Sequence, residues 1–192
     1  MNTIPQVMRD VQGRYPSYTA QFYREEKGGP FVPRAYADFY QDSLDFGAGL
    51  LSLGVRKGEP IGLLSDNRRE WTVADIGIQS CGCPDVPRGR DVTDGEIAII
   101  YGVTKCRFVV AERENEMRRL AAQKASLPEL TTVIVMENGF AADPASGFTA
   151  LGFYEVIELG KKYRAAHPGE IEALIDSGSK EDIATIIFTS GT

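Results

Sequence analysis

The chain ends with the stretch Ile183-Ala184-Thr185-Ile186-Ile187-Phe188-Thr189-Ser190-Gly191-Thr192. Its first part is apolar and β-branched and contains neither glycine nor proline, which predicts a buried strand. The last four residues are small, rich in hydroxyl groups and flexible in backbone. A strand that runs into such a turn presents backbone N–H groups and hydroxyls to a phosphate. The stretch therefore predicts a phosphate-binding turn at the end of a strand, and we interpret the sequence as cut within that turn.

The composition is that of an ordinary globular protein of one domain. The chain has 192 residues, of which 43% are hydrophobic and 25% are charged, and its formal net charge is −6. A nucleic-acid-binding surface needs basic patches, so the acidic balance argues against nucleic acid as the main partner. A local phosphate site remains compatible with it, because backbone N–H groups can build one.

The sequence predicts a protein without a membrane span or a disulfide framework. No apolar run approaches the ~20 residues of a membrane helix, and the N-terminal residues do not form a secretory signal. The cysteines are odd in number, which favours a reducing, cytoplasmic location; peripheral association with a membrane stays open. Cys81-Gly82-Cys83 has no second metal-binding pair, and the only histidine is His167. We therefore predict small buried thiols and no metal site.

The order of the patterns predicts an α/β fold. Residues 1–30 predict an irregular N-terminal segment with a short helix near 18–26, and residues 31–192 predict one α/β unit. The predicted strands are 31–34, 60–65, 106–111, 131–136 and the final stretch. The predicted helices are 36–53, a helix that begins at Asn67, a helix that begins at Thr93, 114–125, 153–166 and a helix from Pro168. Residues 137–149 predict a surface loop. Such alternation indicates a mostly parallel sheet flanked by helices, with ligands beyond the carboxyl ends of its strands.

Two capping boxes are predicted at helix starts. Asn67 with Glu70 and Thr93 with Glu96 have the spacing of an N-cap and its third helical residue. Trp71 follows the first box, and at this spacing a large apolar residue packs in a core more often than it faces a ligand.

Two further stretches predict close or extensive packing. Gly47-Ala48-Gly49 has glycines like those of a dinucleotide fingerprint, but it lies inside a predicted helix and follows no strand, so it predicts close helix contact. The run from Ile97 to Tyr101 is apolar almost without interruption, which predicts a helix buried on several sides.

From about residue 31 onward, the sequence resembles the adenylate-forming superfamily of acyl-CoA synthetases, luciferases and peptide-synthetase adenylation domains. In that family an aromatic residue precedes Thr-Ser-Gly-Thr, as at 188–192, and Thr-Gly-x-Pro-Lys-Gly follows, which is absent here. Further matches are Leu53-Gly54-Val55-Arg56-Lys57-Gly58 and Asn67-Arg68-Arg69-Glu70-Trp71. The variant that looks most like long-chain fatty acid–CoA ligases is Asp85-Val86-Pro87-Arg88-Gly89.

The resemblance implies a truncated N-terminal subdomain of an acyl-CoA synthetase-like fold. It implies that a fatty acid attacks the α-phosphate of ATP, with Mg²⁺ offsetting charge, and that the thiol of coenzyme A then attacks the acyl-adenylate. Thr189, Ser190, Gly191 and Thr192 are the implied phosphate-binding residues. No catalytic or metal-binding residue is assigned, because the family's positions for those roles follow Thr192.

Several alternatives stay open at this point. The chain could be a non-catalytic α/β module that binds a partner, or part of an adenylating enzyme for an aryl or amino acid. We expect the isolated chain to be inactive and to self-associate through exposed apolar surface. Arg88 and Arg90 lie on a predicted turn, where a solvated arginine is favoured over a contact with a phosphate of coenzyme A.

Overall fold

A computed structural model describes residues 2–26 and 28–189. The helices are α1 (Ile4–Arg14), α2 (Tyr36–Ser52), α3 (Arg69–Ser80), α4 (Asp94–Val103), α5 (Glu114–Ala122), α6 (Phe153–Ala166) and α7 (Glu170–Asp176). The strands are β1 (Thr19–Tyr23), β2 (Val32–Ala35), β3 (Ile61–Leu64), β4 (Asp85–Arg88), β5 (Phe108–Ala111), β6 (Thr132–Val135) and β7 (Thr149–Gly152). Short 3₁₀ turns lie at Lys124–Ser126 and Pro144–Ser146.

The centre of the fold is a parallel sheet in the order β4-β3-β5-β6-β7. All five strands have four residues and pair without a register shift, so that Leu63 lies between Pro87 and Val110, and Ile134 follows on β6. β1 and β2 form a separate antiparallel hairpin. The predicted mostly parallel sheet flanked by helices is confirmed, and parallel strands joined through helices account for the near-continuous apolar character of β3, β5 and β6.

Helices cover both faces of the sheet. Because side chains alternate along a strand, Leu63 packs with α2, α3 and α6, whereas the next residue, Leu64, packs with α4 and α5. Phe46 of α2 stacks on Phe153 of α6, with 4.5 Å between the ring centroids. The core therefore consists of two apolar layers separated by the sheet.

Glycines bring α2 into direct backbone contact with its neighbours. A β-carbon at Gly47 would lie 2.7 Å from the carbonyl oxygen of Gly77 on α3, and one at Gly49 would lie 2.1 Å from that of Val156 on α6. A β-carbon at Gly160 of α6 would lie 1.6 Å from the carbonyl oxygen of Asp45. The prediction that Gly47-Ala48-Gly49 permits close helix contact is confirmed.

The N-terminal segment differs from the predicted irregular one. Residues 4–14 form α1, which begins with a capping box between Thr3 and Gln6 and has proline in its first turn, where the missing N–H is tolerated. The Gln6 side chain also donates to the carbonyl oxygen of Ile175, 2.9 Å away. The helix predicted near 18–26 is wrong as well, because β1 forms there by pairing with β2, a tertiary contact that overrides local preference. The predicted edge strand near 31–34 is confirmed as β2.

Two strands of the sheet arise where the sequence predicted a turn and a loop. β4 contains Pro87, and β7 follows the glycine- and proline-rich stretch 137–148, so both lack the usual composition of strands. Neighbouring strands supply the pairing that the local sequence does not favour. The helix predicted after Thr93 is confirmed as α4, but it is buried on one side only, since Ile99 and Val103 are 61% and 69% exposed.

Of the helices that the structure describes, none combines the length and the apolar character needed to cross a membrane. The three cysteines are free and buried, as predicted. Cys81 Sγ lies 3.1 Å from the carbonyl oxygen of Gly47, inside the contact between α2 and α3. Burial raises the pKa of Cys83 and of Cys106 to about 11, so neither thiol is an activated nucleophile near neutral pH.

Candidate phosphate-binding site at the carboxyl edge of the sheet

A shallow cavity of about 610 Å³ lies where β3 and β4 end. It is lined by the residues that follow β3 and by the last residues of β4, with one aromatic side chain from α3: Ser65, Asp66, Asn67, Trp71, Pro87, Arg88 and Gly89. Trp71 is half-buried and also packs against the core, so the predicted core role and a place at the cavity wall coexist. Open parallel sheets bind ligands at this edge, and we refer to this space as the carboxyl-edge cavity.

Residues 183–189, which we call the tail, lie beside β4 on the outer side of the sheet. The backbone N–H of Asp85 donates to the carbonyl oxygen of Ala184 over 3.2 Å, and the N–H of Ile186 donates back to Asp85 over 2.9 Å. These bonds form one parallel bridge between Asp85 and Thr185. The tail therefore extends the sheet by a single bridge and not by the predicted strand.

The predicted buried strand is wrong for two physical reasons. The next bond of the parallel ladder would need an N–H on Pro87, which has none, so pairing stops after the first bridge. Among residues 2–26 and 28–189, the tail also has a neighbouring strand on one side only. Ile183 and Ile187 are consequently 63% and 65% exposed, whereas the half-buried Ile186 and Phe188 pack against the layer formed with α4 and α5.

Thr189 is the only predicted phosphate-binding residue within the described part of the chain; Ser190, Gly191 and Thr192 lie outside it. Thr189 is exposed and directly follows Phe188. Nη1 of Arg88 donates to the carbonyl oxygen of Phe188 over 3.1 Å. This bond brings the start of the predicted turn to the carboxyl end of β4.

Arg88 and Arg90 are held by protein groups, so the expectation of simple solvated arginines is wrong. Besides the contact with Phe188, Nη2 of Arg88 lies 3.8 Å from Oε1 of Glu96. Nε of Arg90 lies 3.2 Å from Oε1 of Glu116, a carboxylate that is only 1% exposed. The ion pair with Glu116 outweighs partial burial and raises the pKa of Arg90, so this arginine stays charged.

A buried carboxylate ties the ends of β3 and β5 together. Oε2 of Glu112 accepts from the backbone N–H of Asp66 over 2.8 Å and lies 3.3 Å from the Ser65 hydroxyl. Its Oε1 lies 3.0 Å from Nε of Arg113 and 3.5 Å from Nη1 of Arg90. Sequence analysis missed this group. Its signal was an acidic residue directly after an apolar strand, at the edge where strand ends meet.

A second polar network lies at the start of α3. Glu70 was predicted to complete a capping box with Asn67, but the helix begins one residue later, at an Arg68 N-cap without a side-chain cap bond. Oε2 of Glu70 accepts from Nε of Arg68 over 2.7 Å, and Oε1 accepts from Nε of Arg69 over 3.0 Å and from the Tyr154 hydroxyl over 2.7 Å. The predicted capping box at Thr93 is confirmed.

The pKa values in this network follow from burial and hydrogen bonding. Burial opposes ionisation of Glu70, but the hydrogen bonds from Arg68, Tyr154 and Arg69 outweigh it and lower the pKa of Glu70 to about 2. Burial together with the bond to Glu70 raises the pKa of Tyr154 to about 12. At neutral pH the network therefore holds a carboxylate, two guanidinium groups and a neutral phenol, a charge balance suited to fixing α3 against α6.

Above this network a groove of about 1100 Å³ separates the β1–β2 hairpin from the carboxyl edge of the sheet. Its lining is mainly polar, and four arginines reach it with four glutamates: Arg24, Arg68, Arg69, Arg113, Glu25, Glu70, Glu112 and Glu137. Arg69 stacks over the ring of Tyr23 at 4.6 Å and so connects the hairpin to α3. The groove can accommodate an extended polar ligand beside the carboxyl-edge cavity.

No group of three or more histidine, cysteine or acidic side chains suited to a metal ion occurs within residues 2–26 and 28–189. Near the carboxyl edge, Asp66 and Glu112 lie 3.6 Å and 3.5 Å from Nη1 of Arg90.

The chain was compared with known families, curated proteins and solved structures. The family model described as AMP-binding enzyme matches residues 9–192. A chloroplastic long-chain-fatty-acid–[acyl-carrier-protein] ligase of Arabidopsis thaliana is 27% identical over 98% of this chain and 26% of its own length. A long-chain-fatty-acid–CoA ligase of Xenopus laevis is 24% identical over 99% of this chain and 25% of its own length. The chain thus spans about a quarter of the length of these relatives.

Solved structures show the same fold. An anthranilate CoA ligase crystallised with anthranoyl-AMP superposes with a TM-score of 0.70 and 21% identity, over 80% of this chain and 27% of that one. The family model spans nearly the whole chain, from residue 9 to residue 192. The chain belongs to the AMP-binding enzyme family.

Proposed function

We propose that the chain is the N-terminal part of an ATP-dependent fatty acid–CoA ligase. In this proposal the complete protein joins a fatty acid to AMP with release of pyrophosphate, and then transfers the acyl group to the thiol of coenzyme A. ATP, coenzyme A and a fatty acid are its substrates, and Mg²⁺ accompanies the triphosphate. Membership of the AMP-binding enzyme family over residues 9–192 carries the proposal.

The tail supplies the residues that we assign to phosphate binding. Thr189, Ser190 and Thr192 contribute hydroxyl groups to the β- and γ-phosphates, and Gly191 allows the backbone to approach them. The position of Phe188 beside Arg88, at the carboxyl end of β4, supports this assignment because it brings the residue before Thr189 to the edge at which such sheets bind ligands. Both chemical steps depend on positioning and on charge stabilisation, and we assign no catalytic residue to the chain.

The fatty acyl specificity rests on the relatives and on the sequence around Asp85. Two relatives are named as ligases of long-chain fatty acids, one with coenzyme A and one with acyl-carrier protein as acceptor. An aryl acid is the second candidate substrate, because the structure that superposes with a TM-score of 0.70 is an anthranilate CoA ligase. Family membership disfavours a partner-binding module without catalytic function.

Two further properties belong to the proposal. Exposed apolar side chains on α4 and on the tail, among them Ile99, Val103, Ile183 and Ile187, favour self-association of the isolated chain. We place the complete protein in the cytoplasm, with fatty acid and lipid metabolism as its context.

ATP–pyrophosphate exchange by the full-length protein tests the proposal. With a panel of fatty, aryl and amino acids, we expect exchange with medium- or long-chain fatty acids and thioester formation with coenzyme A or acyl-carrier protein. Thr189→Ala and Ser190→Ala should each slow exchange by a factor that corresponds to about 1.5–3 kcal/mol, the range for a charge-assisted hydrogen bond. Wild-type rates in both variants would contradict the phosphate role, and a clear preference for aryl or amino acids would overturn the fatty acyl assignment.

A further inference from the structure

The backbone pairing between the tail and β4 ends after the Asp85–Thr185 bridge, before the predicted phosphate turn at 189–192. In a parallel ladder, Asp85 bonds to the residues on either side of its partner Thr185, and Pro87 is the next β4 residue that faces the tail. Pro87 has no N–H to donate to Ile186, so the ladder cannot continue from this residue. Another group has to fix the backbone between Ile186 and Thr189 if the turn is to have a defined direction.

Arg88 supplies a side-chain donor to the tail two residues beyond Ile186, whose carbonyl group an N–H at position 87 would have reached. Continuing the register of the Asp85–Thr185 bridge by three residues places Arg88 opposite Phe188. Nη1 of Arg88 donates to the carbonyl oxygen of Phe188 over 3.1 Å. On the β4 side, the backbone of Arg88 is fixed in turn by the N–H of Ser65, which donates to its carbonyl oxygen over 3.0 Å.

The restrained carbonyl group fixes more than one atom. The carbonyl of Phe188 and the N–H of Thr189 belong to one planar trans peptide, in which the two groups point in opposite directions. The ring of Phe188 also packs against the layer formed with α4 and α5. The guanidinium and the packed ring therefore hold the peptide that opens the turn from two sides.

We propose that Arg88 is a positioning residue, which orients the Phe188–Thr189 peptide, where the predicted phosphate turn begins. This inference rests on the proposed function. The side chain is suited to the role, because a planar guanidinium keeps its donors in a fixed geometry, whereas a lysine offers a flexible point charge. Its second arm points toward Glu96, which is itself held as the partner of the Thr93 cap.

Two variants with a matched control test the inference. Arg88→Lys keeps the charge and Arg88→Gln keeps a donor without charge, while Arg118→Lys alters an arginine that is 74% exposed on α5. Hydrogen exchange of the 184–189 backbone is measured in the full-length protein, together with the KM for ATP·Mg²⁺ and for the acid.

We expect both Arg88 variants to raise the rate of amide hydrogen exchange in 184–189 and to raise the KM for ATP, each about tenfold, which corresponds to about 1.4 kcal/mol. The rate of hydrogen exchange in β5 and β6 and the KM for the acid should stay at wild-type values. Arg118→Lys should match the wild type in every one of these measurements. Unchanged exchange in the tail of both variants would overturn the inference. Faster exchange throughout the sheet would also overturn it, because it would show a general stabilising role.

Failure of the proposed function gives a different result. If the wild-type protein exchanges no pyrophosphate with any acid, both the function and the phosphate role of the turn are contradicted. If the wild-type enzyme is active while the Arg88 variants retain the wild-type KM for ATP, the assignment of Arg88 alone is contradicted.

Discussion

Replacing Gly160 with alanine tests how closely α2 and α6 must approach. The added β-carbon would lie 1.6 Å from the carbonyl oxygen of Asp45, about 1.8 Å short of the 3.4 Å at which ordinary contact begins. The obstacle is backbone, so no side-chain rotation relieves it, and the two helices have to separate. Separation would also loosen the stacked pair Phe46–Phe153. Overpacking costs about 1–3 kcal/mol and more where backbone must move, whereas alanine improves helix propensity by about 1 kcal/mol.

We therefore expect Gly160→Ala to lower the free energy of unfolding by about 3 kcal/mol, with a fall in Tm of about 6–12 °C for a chain of this size. Urea denaturation followed by circular dichroism measures it. Gly13→Ala is the matched control, because Gly13 lies in α1 with no atom within 4 Å of the added β-carbon, and it should leave stability unchanged or raise it by up to about 1 kcal/mol. A Gly160→Ala chain as stable as the wild type would refute the argument from helix contact.

Three further outcomes are expected. Burial, with Asp75 nearby, raises the pKa of Asp85 from 3.8 to about 6, so the folded state binds the proton more tightly and the free energy of unfolding falls as the pH rises from about 4 to 6. In urea titrations, Asp85→Asn should be more stable than the wild type by up to about 3 kcal/mol at pH 7, but not at pH 4. The pKa of Glu70 is lowered from 4.5 to about 2, so its contribution to stability is present above pH 4.5 and is lost as the pH falls toward 2. Glu70→Gln should lower the free energy of unfolding by about 1–3 kcal/mol at pH 7 and by progressively less in acid, and a cost that does not change with pH would contradict the network. Calorimetry of the 192-residue chain with ATP·Mg²⁺ should detect no binding with a Kd of about 1 mM or lower, which corresponds to a binding free energy of about −4.1 kcal/mol. Saturable binding or thioester formation by this chain would show that the nucleotide site has been misplaced.

Periodicity revealed the elements whose burial is carried by their own side chains. The helix α2, the apolar runs of β3, β5 and β6 and the Thr93 capping box were all predictable, because local pattern and tertiary environment agree there. The glycines of α2 were also interpretable, since they lie in the middle of a helical pattern and not directly after a strand, which favours close helix contact.

The elements that escaped prediction depend on partners distant in sequence. β4 forms at Asp85–Arg88 despite Pro87, because β3 supplies the pairing, and β7 forms next to β6 after a glycine-rich loop. The apolar tail looked like a buried strand, yet composition alone could not reveal that Pro87 would interrupt the ladder on its neighbour. The same holds for α4, whose apolar residues face the sheet on one side and solvent on the other.

The candidate site divides in a similar way. The resemblance indicated the phosphate turn and its place after an apolar stretch. The buried carboxylates of Glu70 and Glu112 could not be predicted, because their partners come from separate elements: Tyr154 from α6 for the first, and the Asp66 backbone and Arg90 for the second. Charged residues next to strand ends are common, and only the folded arrangement shows which of them are paired.

The contact between α2 and α6 also affects how the chain is made on the ribosome. Roughly 100 residues separate the end of α2 at Ser52 from the start of α6 at Phe153. At a synthesis rate of about 5–20 residues per second, the glycine-lined side of α2 stays uncovered for about 5–20 s, until α6 has been synthesised. During that interval its apolar side chains are available to chaperones and to other nascent chains. Synonymous codons that slow translation between β3 and β7 would lengthen this exposure without changing a single residue of the finished protein.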